Sequence, residues 1–134
     1  MVSFVGKEEV SVDANNRVSL PVRFRSVLPE NEKKFYLTIG KNSSLILFRE
    51  SDYNENERPK ILAMPVEDRI SAAGDTEFIV LDEKQNRFVL PKSFREHAGI
   101  SKTAMFVGSI NKILIYSLEN YEKRGFGKKY EYDE

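Results

Sequence analysis

The residue pattern points to a mostly β protein with short helices, an α+β fold built from two fused copies of one small unit. Two observations carry this. The stretch Arg17-Val18-Ser19-Leu20-Pro21-Val22-Arg23-Phe24-Arg25 recurs 70 positions later as Arg87-Phe88-Val89-Leu90-Pro91-Lys92-Ser93-Phe94-Arg95. Both copies read Arg, two residues, Leu-Pro, two residues, Phe-Arg. Around them apolar and polar residues alternate, as in Val10-Ser11-Val12 and Val18-Ser19-Leu20, which is the period of a half-buried strand. The correspondence continues through Phe35-Tyr36-Leu37 and Met105-Phe106-Val107, then Leu45-Ile46-Leu47-Phe48 and Ile113-Leu114-Ile115-Tyr116, and ends at Tyr53 and Tyr121, its offset drifting only from 70 to 68. The repeated unit is therefore roughly 60 residues long.

Each unit can be taken in chain order. A strand leads into a turn, residues 13–17 in the first copy and 82–87 in the second. Asn16 and Asn86 precede the arginine where the turn needs φ > 0, and Asn is the residue after Gly that best tolerates it. A second strand ends at Pro21 or Pro91, whose fixed φ and missing N–H suit the first turn of a helix. The helices are expected at about 21–28 and 91–97, the second closed by Gly99. Hairpins follow around Lys41-Asn42-Ser43 and Ser109-Ile110-Asn111. The chain thus divides into a first repeat (1–53), a partly helical linker carrying Pro59 and Pro65 (54–73), a second repeat (74–122) and a charged tail (123–134) with Gly125, Gly127, Tyr130 and Tyr132. One such unit leaves sheet edges exposed and a core incomplete. The two are expected to interleave about a pseudo-two-fold axis into one closed barrel.

Composition narrows the function. In 134 residues, 40% are hydrophobic and 31% charged, and 21 Lys+Arg balance 21 Asp+Glu. A chain of this size folds without metal or disulfide staples, and its cysteine count is zero. The longest apolar runs are four residues, far short of a membrane span or a secretory core, so a cytoplasmic protein with no membrane partner is expected. Neutral net charge excludes a uniformly basic nucleic-acid binder; basic residues must cluster locally or be multiplied by self-association. His97 is the single histidine and has no Ser or Cys partner nearby, so a capping or packing role is favoured. The acidic residues are scattered, and Gly74 and Gly108 form no phosphate-cradling loop. Most of the nine Phe and six Tyr fall at repeat-matched strand positions and are expected in the core. No enzyme, cofactor, metal or small-molecule substrate is expected.

The duplicated Asp…Arg-x-x-Leu-Pro-x-x-Phe-Arg motif resembles the swapped-hairpin DNA-binding fold of the AbrB and SpoVT transition-state regulators. The two-copy layout resembles the MraZ family over about residues 4–122. The matching stretches are Met64-Pro65-Val66-Glu67, Gly74-Asp75-Thr76-Glu77, and His97-Ala98-Gly99-Ile100-Ser101-Lys102 followed by Met105, Val107-Gly108 and Asn111-Lys112. The resemblance implies a nucleoid-associated transcriptional regulator of the division and cell-wall gene cluster. Such a protein binds direct repeats in double-stranded promoter DNA as a ring-like homo-oligomer, an octamer or similar. It also implies an Asp, two residues and Gly-Arg in each copy, with the Arg-bearing turns facing DNA. Asp13, Arg17 and Arg87 match; Asn16 and Asn86 replace the glycine, Asn15 stands where a lysine is frequent, and an extra residue in the second copy leaves Asp82 or Glu83 as its acid.

Arg17 and Arg87 admit two readings that can coexist: contact with a phosphate or guanine edge, and pairing with the acid of their own turn. Arg25 and Arg95 fit packing beside a core Phe better. The candidate DNA-contacting set is Asn15, Arg17, Arg23, Arg25, Lys84 and Arg87; the turn-forming set is Asp13, Asn16, Asp82 and Asn86. With Arg17, Arg23 and Arg25 against only Asp13, the first copy is expected to make the main contact. The alternative function is a protein-interaction or assembly module on the same fold, for which the charged, aromatic tail is the support.

Overall fold

The computed structural model describes residues 2–123. In chain order they form β1 (Lys7–Ser11), β2 (Arg17–Ser19), α1 (Val22–Arg25), β3 (Lys34–Ile39) and β4 (Leu45–Arg49). A helical connection follows: α2 (Glu50–Asp52), a π-helical turn (Tyr53–Glu57), α3 (Arg58–Leu62) and α4 (Val66–Gly74). Then come β5 (Thr76–Val80), β6 (Arg87–Val89), α5 (Lys92–Ala98), β7 (Thr103–Gly108), β8 (Ile113–Ser117) and α6 (Leu118–Lys123). The rest of the tail, with Tyr130 and Tyr132, lies outside the described residues.

The strands interleave. Six of them form one antiparallel sheet in the order β1-β7-β8-β4-β3-β5, and β2 and β6 form a separate ribbon. β1 pairs with β7, from Lys7 opposite Val107 to Ser11 opposite Thr103; β5 pairs with β3, from Lys34 opposite Val80 to Thr38 opposite Thr76. The centre of the sheet is β4 against β8, with Ile46 opposite Leu114. Each outer strand therefore comes from one copy and is held by the hairpin of the other. Among the described residues, strand pairing does not close the expected barrel. The ladder ends at β1 and β5, and the ribbon stands apart.

Alternation along these strands selects the core. In the ribbon, Val18 and Phe88 stand opposite each other and are buried, as are Leu20 and Leu90 just beyond. They pack with Phe24 of α1, Phe94 of α5 and the inward row Phe35, Leu37, Leu45, Leu47, Phe106, Ile113 and Ile115. Not every strand aromatic joins them, the repeat-matched Tyr36 included. Tyr36 and Phe78 lie in register on the other face of the sheet, where Tyr53 stacks on Tyr36 with centroids 4.2 Å apart and Phe78 stays 47% exposed.

The helices differ in detail from expectation. Pro21 and Pro91 sit one residue before the helix, in extended backbone (ψ 148° and 152°), and their carbonyls accept the first helical bonds. Phe24 and Arg25 donate to Pro21, Phe94 and Arg95 to Pro91. α1 is four residues long rather than the eight of 21–28. Residues 26–28 continue as a turn, and Pro29 disfavours helical backbone at Leu28, so the helix cannot extend to the expected end. α5 runs one residue past the expected end to Ala98 and closes on Gly99, at φ 67°, with the Ile100 N–H donating to the Arg95 carbonyl. Val66–Gly74 is helical, and so is most of the linker before it, more than the partly helical connection expected of 54–73.

Gly108 is where the N-terminal segment docks. Its N–H donates to the Gly6 carbonyl, while Phe4 and Ile110 exchange both backbone bonds, 2.8 and 3.0 Å. A Cβ on Gly108 would lie 2.4 Å from the Phe4 carbonyl oxygen, whereas one on Gly74 meets nothing within 4 Å. Gly108→Ala is therefore expected to lift the segment and expose Phe4, costing about 3 kcal/mol. Gly74→Ala, at the last residue of α4, should be neutral or raise stability by no more than about 0.5 kcal/mol. Urea unfolding of the two variants measures both.

Candidate nucleic-acid interface

The two turns preceding the ribbon share one construction. Asp13 accepts from the backbone N–H of Asn15 (2.8 Å) and Arg17 (2.9 Å) through Oδ1, and from Arg17 Nε (3.0 Å) through Oδ2. Asp82 accepts from the Gln85 N–H (2.7 Å) and from Arg87 Nε (2.9 Å). In both turns the Asn N–H donates to the Asp carbonyl at 3.0 Å, and Asn16 and Asn86 adopt φ 61° and 53°. Asp82, rather than Glu83, is thus the acid of the second turn. The extra residue is absorbed at its tip, where Lys84 is exposed and Gln85 takes the role of Asn15.

These bonds favour the ionised carboxylates. The Arg17 and Asn15 N–H groups, with the Arg17 guanidinium, hold the Asp13 carboxyl below its usual range. The Gln85 N–H, followed by the Arg87 guanidinium, lowers Asp82 from 3.8 to about 2. Each aspartate engages Nε of its arginine, so the terminal guanidinium nitrogens are left to donate elsewhere.

The ribbon decides where these arginines point. Leu20 N–H donates to Asn86 O and Leu90 N–H to Asn16 O, both at 2.9 Å, so each turn is stitched to the end of the other copy's strand. Arg17 stands opposite Val89, and Ser19 opposite Arg87. Because side chains alternate along a strand, Arg17, Ser19, Arg87 and Val89 share the outward face while Val18 and Phe88 enter the core. On ribbon geometry the two arginine Cα atoms are about 8 Å apart, astride the pseudo-two-fold axis. Both side chains are accessible, 31% for Arg17 and 23% for Arg87, and they line one groove with Asp82 and Val89.

The other candidates scatter. Arg25 Nε donates to the Leu20 carbonyl at 2.8 Å, and Arg95 Nη1 to the Leu90 carbonyl at 3.0 Å, so both tie a helix to the strand before it. Arg25 also lies beside the second turn, because Leu20 bonds to Asn86. Arg23 lies over β1 against Glu8, at 3.4 Å, in a different groove. The basic residues of the first copy are thereby divided among separate sites. Asn15 and Lys84 are exposed on their turns. His97, exposed on α5, reaches the Gly40 carbonyl, Nε2 to oxygen 3.0 Å, so it serves as a hydrogen-bonded tether between the halves rather than as a packed or capping side chain.

Sequence reasoning missed Lys33, whose ammonium bonds to the Asn86 side chain from 53 residues away. Its neighbour Glu32 is fixed by Arg49 through two 2.7 Å bonds. No local pattern signals a contact at that separation.

Among known families, the model described as "MraZ protein, putative antitoxin-like" matches residues 3–69 and 72–124, each block containing one of the two turns. The chain belongs to the MraZ family. It is 34% identical to the transcriptional regulator MraZ of Caldanaerobacter subterraneus subsp. tengcongensis over 125 residues, covering 89% of this chain and 84% of that protein. The transcriptional regulator MraZ of Mycoplasmopsis pulmonis is 34% identical over 126 residues, 90% of this chain and 83% of its own. That of Carboxydothermus hydrogenoformans is 32% identical over 138 residues, 98% and 92% of the two chains. In this MraZ family member no helix among the described residues is long and apolar enough to cross a membrane.

Two outcomes follow from the bonding. Because the Asp82 value is lower folded than unfolded, its contribution to stability is complete above about pH 3.8 and is lost as pH falls through about 2. A carboxyl-carbon NMR titration should place its midpoint near that lower value. Arg25→Ala and Arg95→Ala should each cost about 1–3 kcal/mol in chemical denaturation, because each frees a buried carbonyl from a charged donor.

Proposed function

We propose that this chain is a sequence-specific DNA-binding transcriptional regulator that binds direct repeats in the promoter of the division and cell-wall gene cluster as a ring-like oligomer. The observation that carries the proposal is the outward ribbon face. Two guanidinium groups stand on one side, held by aspartates and backed by a buried Val18 and Phe88 that keep the platform rigid. Arginine is suited to the bidentate acceptor edge of guanine in the major groove and to phosphate. The relatives' name, transcriptional regulator, supports the same reading. In this proposal residues 1–53 and 74–122 are two copies of one DNA-facing unit joined by 54–73, and 123–134 is an appended tail. Arg17 and Arg87 are the base-reading pair, Asn15 and Lys84 approach the backbone, and Arg23 adds a peripheral contact.

Electrostatics explains the need for assembly. Asp13 and Asp82 offset the charge of the two arginines, so one protomer neutralises few phosphates and gains little from counterion release. Several copies presented to successive repeats raise the effective concentration and can gain ~10²-fold or more in avidity. A second reading, an assembly module without a DNA role, is favoured by the exposed Leu62, Val66 and Ile70 of the helical connection, each more than 60% accessible.

Fluorescence anisotropy with a duplex from the protein's own upstream region, at ~100 mM salt, separates the two. Arg17→Ala or Arg87→Ala should weaken specific binding about ten- to a hundredfold without altering the melting temperature much or the mass in solution. Arg25→Ala is the control and should leave the affinity of the folded molecule unchanged. Full binding by both single-arginine variants would overturn the proposal.

A further inference from the structure

The outward face of the ribbon carries four side chains, and the pseudo-two-fold axis relates Arg17 to Arg87 and Ser19 to Val89. The arginines are the same in both halves. The second pair differs: a hydroxyl stands at 19, and a branched hydrocarbon, 50% exposed, at 89. Val89 shares the groove lined by Arg17 and Arg87 with two further exposed apolar side chains, Phe78 and Val80, so this side of the ribbon offers hydrocarbon next to the guanidinium groups. From the Leu20 to Asn86 and Leu90 to Asn16 bonds, the Arg17/Val89 pair is of the non-hydrogen-bonded kind, with Cα atoms only about 4.5 Å apart. Val89 is therefore the side chain directly beside the Arg17 guanidinium stem.

A two-stranded antiparallel ribbon fits the major groove, where guanine offers paired acceptors to arginine and the C5-methyl of thymine is the apolar feature of the base edges. We infer that Val89 is a specificity-determining residue that packs on a thymine methyl next to the base read by Arg17, and that Ser19 makes no such contact at the symmetry-related position. This rests on the DNA-binding reading above and extends it. Two halves that are alike in their arginines then read unlike steps, so the ribbon engages its site in one orientation.

The test uses duplexes selected by the full-length protein from a randomised pool, resynthesised with dU replacing dT at one position at a time, which removes only the methyl. One replacement should weaken wild-type binding about fourfold, the effect of one buried methyl-sized group. Val89→Ser should abolish that difference, and Val89→Ile should keep it. Wild-type binding indifferent to every dU, or a full dU effect retained in Val89→Ser, overturns the inference while leaving DNA binding intact. A Val89→Ser variant that changes mass in solution and keeps its dU response also overturns it, assigning the side chain to a contact between copies. If no duplex is enriched at all, the DNA-binding reading itself fails.

Discussion

Neither copy of the repeat can satisfy its own backbone. β1 finds its hydrogen-bonding partner in β7, β5 in β3, and β2 in β6, so every one of these pairings runs between the two halves. The reciprocal bonds from Leu20 to Asn86 and from Leu90 to Asn16 are the tightest expression of this, since they tie each turn to the strand end of the other copy. An unpaired buried peptide group costs as much as a lost hydrogen bond. The core is accordingly shared, with residues of both halves in one cluster. The exchanged strands place both turns about one axis.

That exchange determines what the turns can present. An aspartate that accepts from backbone N–H groups and from its arginine fixes both the turn and the direction of the guanidinium. Asparagine at positive φ lets the chain reverse at the cost of little strain. The same carboxylates that position the arginines offset their charge. The face thus carries directed guanidinium donors with little net charge, in a chain whose formal net charge is zero.

Much of this was legible residue by residue. The left-handed asparagines, the glycine cap of α5 and the acid–arginine pairing within each turn are local chemistry, visible wherever a turn residue precedes an alternating strand. The length of α1 was less so, because Phe24 and Leu28 carry a helical spacing that Pro29 cuts short. Arg25 illustrates the limit. It lies eight residues after Arg17 in the chain, yet the structure sets it against the second turn, and its donor is spent on the Leu20 carbonyl. Lys33 and Asn86 meet across 53 residues with no pattern to announce it.

By itself the sequence determined that one motif occurs twice, where each turn falls, and that Val18 and Leu20 point to one side of their strand and Ser19 to the other, because duplication and alternation are properties of residue order. Only the tertiary structure decided that the arginines of different halves stand on a common face, that Val89 stands beside Arg17, and that Arg23 lies against Glu8 of β1 while Arg25 bonds to the Leu20 carbonyl. The reason is the exchange of strands. Which residues become neighbours is set by register between copies, and register is written in backbone pairing across the axis rather than in the spacing of residues along the chain.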